Sequence, residues 1–78
     1  MIADTRQRLL AVERILLTAE QPLSVNDILA KLQRRYDIDA SQSAVYNDIA
    51  ALTLYYDIEK YQNKYKFEKY FFADMPIL

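Results

Sequence analysis

The stretch Ser41-Gln42-Ser43-Ala44-Val45-Tyr46-Asn47-Asp48-Ile49-Ala50-Ala51-Leu52 has two faces of different chemistry. Ser41 is a good N-cap, because its hydroxyl can accept an N–H of the following turn. The spacing predicts a helix from Gln42 to about Leu54, on which Val45, Ile49 and Leu52 form a narrow apolar stripe. At roughly 100° per residue, Ser43, Tyr46, Asn47 and Ala50 lie on the opposite side. That side is small, polar and uncharged. Lys and Glu are the easy choices for a face that meets only water, so the composition points to a surface selected against charge or covered by a partner.

Upstream, the pattern predicts two more helices. Asp4 or Thr5 can cap the first, which runs to about Ala19. Leu9, Val12, Ile15, Leu16 and Ala19 share one face of it. Leu10 and Leu17 lie off that face, which suits a central core helix or, alternatively, a dimer contact. Glu20-Gln21-Pro22 breaks the helix, since Pro disfavours helical geometry in the residue before it. Ser24 caps the second helix, about Val25 to Tyr36, with Asp27 in capping-box position. Its stripe is Val25, Ile28, Leu29, Leu32 and Tyr36, while Lys31, Gln33, Arg34 and Arg35 face away or flank it. Asp37-Ile38-Asp39-Ala40 is a short connector. Its two carboxylates make a poor metal site and an ordinary solvated turn, with Ile38 expected to plug the core.

Downstream the period changes. Tyr55, Tyr56, Tyr61, Tyr65, Phe67, Tyr70, Phe71 and Phe72 crowd residues 55–72, and aromatics favour strands. Asp57 to Tyr61 reads as one strand and about Lys66 to Ala73 as a second. Between them lies Gln62-Asn63-Lys64, with Asn63 the best left-handed turn residue in a chain without Gly. Residues 1–74 are expected to form one domain. Residues 75–78 read as a tail or the beginning of a linker, with Pro76 stopping the strand.

Composition narrows the function. The chain has 78 residues, no Cys, no His, no Gly and no Trp. These zeros leave no thiol nucleophile or thiolate metal site, no imidazole base, no ordinary zinc site, no P-loop and no dinucleotide fingerprint. No set of Asp, Glu, Lys, Tyr and Ser falls into a catalytic constellation, so an enzyme is not expected. No cofactor or metal is called for. Ten Lys and Arg stand against eleven Asp and Glu, a net charge of -1. A dedicated nucleic-acid binder is usually basic overall, but distribution matters more. Residues 41–59 hold no Lys or Arg, while residues 60–74 hold Lys60, Lys64, Lys66 and Lys69 against Glu68 and Asp74. No apolar run is long enough for a membrane span and no signal peptide is visible, so the cytoplasm is the expected compartment.

Three helices followed by a β-hairpin give a mainly α domain with the element order of a winged helix-turn-helix: three helices plus a two-stranded wing. In that architecture the third helix enters the major groove of double-stranded DNA and the wing lies along the backbone. Gln42, Ser43, Tyr46 and Asn47 are then the candidate base readers, because Gln and Asn pair bidentately with adenine and Ser contacts either base type. Ser41, Lys60, Lys64, Lys66, Arg6 and Arg8 are the candidate phosphate contacts.

Ser24-Val25-Asn26-Asp27-Ile28 at the start of helix two, Val45-Tyr46-Asn47-Asp48-Ile49-Ala50-Ala51-Leu52, Asp57-Ile58-Glu59 and Lys69-Tyr70-Phe71-Phe72-Ala73-Asp74 together resemble one known family. It is the N-terminal winged helix-turn-helix of bacterial WYL-domain transcriptional regulators, a DeoR-like type. That family typically shows V-Y-R-D-I-E-A-L, then D-I-E, then a G-Y-Y-L-A-D-like wing strand. The resemblance runs from about Arg8 to Asp74. It implies a DNA-binding transcription regulator with its contacts on helix three and the wing. Gln42, Ser43 and Asn47 stand where the family usually carries arginines, and Lys69 replaces the wing glycine. The family's larger sensor domain normally follows such a module. The expectation is either an excised N-terminal domain or a small protein that keeps only this module, in each case with a homodimer as one way to double its DNA contacts. The competing expectation is a winged-helix protein-interaction module that has lost DNA binding. The absent arginines and the many tyrosines fit it, since Tyr is enriched at interfaces.

Overall fold

A computed structural model of the chain describes residues 4–61 and 64–67. It contains three helices, α1 (Thr5–Leu17), α2 (Val25–Tyr36) and α3 (Gln42–Leu52), and three strands, β1 (Leu23–Ser24), β2 (Ile58–Tyr61) and β3 (Lys64–Phe67). Each helix starts where a side chain can take its orphan N–H groups. Asp4 accepts from the Gln7 N–H while the Gln7 side chain accepts from the Asp4 N–H. Ser24 and Asp27 form the same reciprocal box at α2. Ser41 Oγ accepts from the Ala44 N–H at 3.1 Å.

The helix ends differ from expectation by a turn or less. α1 stops at Leu17 rather than Ala19: the Ala19 N–H reaches the Leu16 carbonyl, three residues back, at 3.4 Å. α3 stops at Leu52 rather than Leu54. The N–H groups of Leu54 and Tyr55 reach carbonyls three residues back, which tightens the last turn. α2 ends on Asp37, held left-handed at φ 54°. Without glycine, the chain puts Asp at this position, one of the few side chains that tolerate it. The next N–H, of Ile38, donates to the Leu32 carbonyl at 3.1 Å, and Ile38 is turned into the core as expected.

The sheet is three-stranded and antiparallel in the order β1-β3-β2. This corrects the two-stranded expectation. Leu23 pairs with Tyr65 and Ser24 with Lys64, so a dipeptide too short to show any period closes the sheet. β3 begins at Lys64, not Lys66, and Tyr61 pairs with Lys64. Asn63 as the turn residue, the expected strand beyond Phe67 and the tail at 75–78 lie outside the described residues.

One face of each helix meets at a common core. Val12, Ile15, Leu16, Ile28, Leu32 and Val45 are almost wholly buried, with Leu23, Val25, Ile49 and Leu52 close behind. Ile58 and Tyr65 pack against it from the sheet. At about 1.5–3 kcal/mol per fully buried aliphatic side chain, these residues supply most of the gross drive to fold. Of the two leucines off the main face of α1, Leu10 is 58% exposed while Leu17 packs partly against the core. Among the described residues, no helix is long and apolar enough to cross a membrane.

Candidate nucleic-acid interface

α3 turns Val45, Ile49 and Leu52 inward, and Gln42, Ser43, Tyr46, Asn47 and Ala50 outward into solvent. The four expected base readers therefore share one exposed side. The hydroxyl of Ser41 lies 3.3 Å from that of Ser43, so the cap continues into the outward face. Gln42 Nε2 donates to Asn26 Oδ1 at 2.8 Å. A concavity of about 230 Å³, lined by Ser24, Val25, Asn26, Gln42 and Tyr46, lies between the starts of α2 and α3. Asn26 is thus part of the site, and sequence reading missed it. Its place in the first turn of α2 was legible, but a contact spanning 16 residues was not.

The inward side of α3 holds the one charge in the helix. Asp48 is 2% exposed. Arg8 reaches it from α1, with Nε donating to Oδ2 at 2.6 Å and a terminal nitrogen, Nη2, donating to Oδ1 at 3.0 Å. This fork matches guanidinium geometry to both carboxylate oxygens. Hydrogen bonding to Asp48 raises the Arg8 pKa, against the desolvation that would lower it. Arg8, expected at a phosphate, instead has its guanidinium engaged by the buried Asp48 carboxylate. A signal for this existed. Asp48 falls at helical spacing within the Val45, Ile49, Leu52 stripe, and Arg8 falls four residues before Val12 on the core side of α1. A carboxylate in an apolar stripe demands a cation.

Lys60 and Lys64 do not share a face of the wing. Residues directly opposite in an antiparallel pair share a face, and faces alternate along a strand. Lys60 pairs with Tyr65 and Lys64 with Tyr61, so Lys60 and Lys64 project from opposite faces of the hairpin. Lys60 Nζ lies 5.8 Å from the Tyr65 ring centre, within cation–π range. Lys64 is exposed and lines a concavity of about 280 Å³ with Asp27, Lys31 and Arg34 of α2. Lys66 pairs with Glu59 in the ladder, and its side chain lies outside the described residues. Arg6 is exposed on α1.

Two further polar contacts hold the scaffold. The Ser24 backbone and hydroxyl, with smaller help from Lys64 and Lys31, hold the Asp27 carboxyl below its usual range. Tyr56, in the turn after α3, donates its hydroxyl to Glu13 Oε2 on α1 at 2.5 Å. That bond, then burial, push the Tyr56 phenol up to about 12.

Comparison with known protein families, with curated proteins and with solved structures finds no match.

Proposed function

We propose that this chain is a winged helix-turn-helix module that binds double-stranded DNA sequence-specifically, with α3 in the major groove and the hairpin along the backbone. The observation that carries this reading is the sorting of polar groups on α3. The single charge of the helix is buried and neutralised by Arg8, while Gln42, Ser43, Tyr46 and Asn47 stand exposed. A groove-facing helix must keep carboxylates away from phosphates and present uncharged donors and acceptors to base edges. The resemblance to WYL-domain, DeoR-like regulators supports a role in bacterial transcription regulation in the cytoplasm. The chain carries a net charge of -1 and Arg8 is taken up by Asp48, so a single chain binds weakly and a homodimer on a two-fold site doubles the phosphate contacts.

The test is selection from a randomised duplex pool at low salt, repeated at higher salt. A motif that is enriched and then lost as salt rises supports the reading, and paired half-sites would give the dimer spacing. Absence of binding at low salt overturns it. A second reading, a protein-interaction module, is favoured by Leu54 and Tyr55, which are 78% and 75% exposed just beyond α3. An aromatic and aliphatic interface of that kind responds little to salt, which separates the two.

A further inference from the structure

The first turns of α2 and α3 meet through two side-chain amides, Gln42 Nε2 donating to Asn26 Oδ1 at 2.8 Å, with both residues exposed. An unrestrained Gln amide can turn over and present either its oxygen or its NH₂ group to a given point. With Asn26 Oδ1 rather than its amide nitrogen facing Gln42 Nε2, one Gln42 N–H is held at that acceptor. The Gln42 amide keeps one N–H and its carbonyl oxygen for a partner. In the major groove, adenine shows an acceptor at N7 and a donor at N6, whereas guanine shows two acceptors, N7 and O6. One remaining donor beside one acceptor matches adenine. Two donors would be needed for guanine.

We infer that the Asn26–Gln42 bridge fixes the polarity of the Gln42 amide so that Gln42 selects adenine over guanine, with Asn26 as its positioning residue. This deepens, and rests on, the DNA-binding reading above. The Asn26 acceptor is well placed for this work. It sits in the first turn of a helix whose capping box is closed by Ser24 and Asp27, so its backbone is fixed. Gln42 is the first residue of α3, directly after the Ser41 cap, where recognition helices contact base edges. Holding the amide before docking also removes the entropy of ordering it afterwards.

Two variants separate this role from a structural one. Asn26→Ala removes the acceptor. Asn26→Asp keeps an acceptor oxygen at the same place and adds a negative charge. Duplex selection with the wild type is expected to show one position with roughly tenfold adenine preference over guanine, the discrimination of a good bidentate pair. In Asn26→Ala that preference falls toward parity, while the rest of the motif and the thermal midpoint are unchanged. In Asn26→Asp the preference persists, although binding to every sequence weakens because the added charge opposes the phosphates. In the free protein, the Gln42 side-chain amide protons measured by NMR should shift in Asn26→Ala and remain hydrogen-bonded in Asn26→Asp. A wild-type motif whose adenine preference survives Asn26→Ala, or that carries guanine at the Gln42 position, overturns the inference and leaves DNA binding intact. Identical Gln42 amide shifts in the wild type and Asn26→Ala overturn it without any DNA present. Failure of the wild type to enrich any motif overturns the DNA-binding reading, and this inference with it.

Discussion

The two sides of α3 each carry a long-range polar link, and the links answer to different physics. On the inner side Asp48 takes a two-pronged contact from Arg8, with the carboxylate side chain 3% exposed. On the outer side Gln42 meets Asn26 through one hydrogen bond in the open. Remove a partner outside and water replaces it at little cost to stability, although the direction in which the amide was held is lost. Remove a partner inside and an ion is left without solvent or counter-ion. The inner link therefore sets whether the helix stays in place, and the outer one sets how a side chain is presented. A surface that reads a partner can be varied only if the link behind it holds.

The sharpest way to break this contrast is Arg8→Ala. Stranding Asp48 is expected to destabilise the fold by about 3–5 kcal/mol, measured by urea unfolding. Arg8→Met combined with Asp48→Leu should recover most of that loss, since a matched apolar pair does not need to be neutralised. A single variant as stable as the wild type would show that the buried pair does not hold the helix. Next in size is Asn47→Ala, on the outer side. It should leave unfolding unchanged while weakening binding by about 1–3 kcal/mol and relaxing preference at one base position. Equal weakening on every duplex would remove Asn47 from base reading.

Smaller still is Tyr56→Phe, which removes the Tyr56–Glu13 bond between the turn after α3 and α1 and should cost about 1 kcal/mol. Its pH dependence has a definite sign. The folded phenol titrates near 12, against about 10 in an unfolded chain. Folding then holds this proton more tightly, so the contribution is complete below pH 10 and is lost as pH climbs from 10 to 12. Tyr56→Phe should lose less stability than the wild type over that interval, as read by thermal melts. The smallest effect is expected for Lys64→Ala, which should reduce the salt slope of DNA binding by about one contact without altering sequence preference. An unchanged slope would take Lys64 off the phosphates.

Local signals made the helices legible. Ser24 and Asp27 announced the start of α2, Ser41 that of α3, and the buried positions Val25, Ile28, Leu32, Val45, Ile49 and Leu52 followed the helical period. The exposed side of α3 was legible for the same reason. What joined elements was harder to read. Leu23–Ser24 is two residues long, and its strand character comes from Tyr65 and Lys64 some 40 positions later. The Arg8–Asp48 pair spans 40 residues, and the Tyr56–Glu13 bond spans 43. Lys60 and Lys64 looked like neighbours on one wing until the strand register put them on opposite faces. A period gives the face of an element; a register or a partner must come from the fold.

Ser24 belongs to two elements at once. Its backbone stands opposite Lys64 in the ladder, and its hydroxyl accepts the Asp27 N–H that begins α2. A linker between strand and helix would act as a hinge, with an angle to be chosen on docking. Here no such residue intervenes between Ser24 and Val25. The hairpin and the start of α2 are thus set at a fixed angle when the chain folds. A groove and its flanking backbone would meet a preshaped surface, with little ordering entropy left to lose on contact.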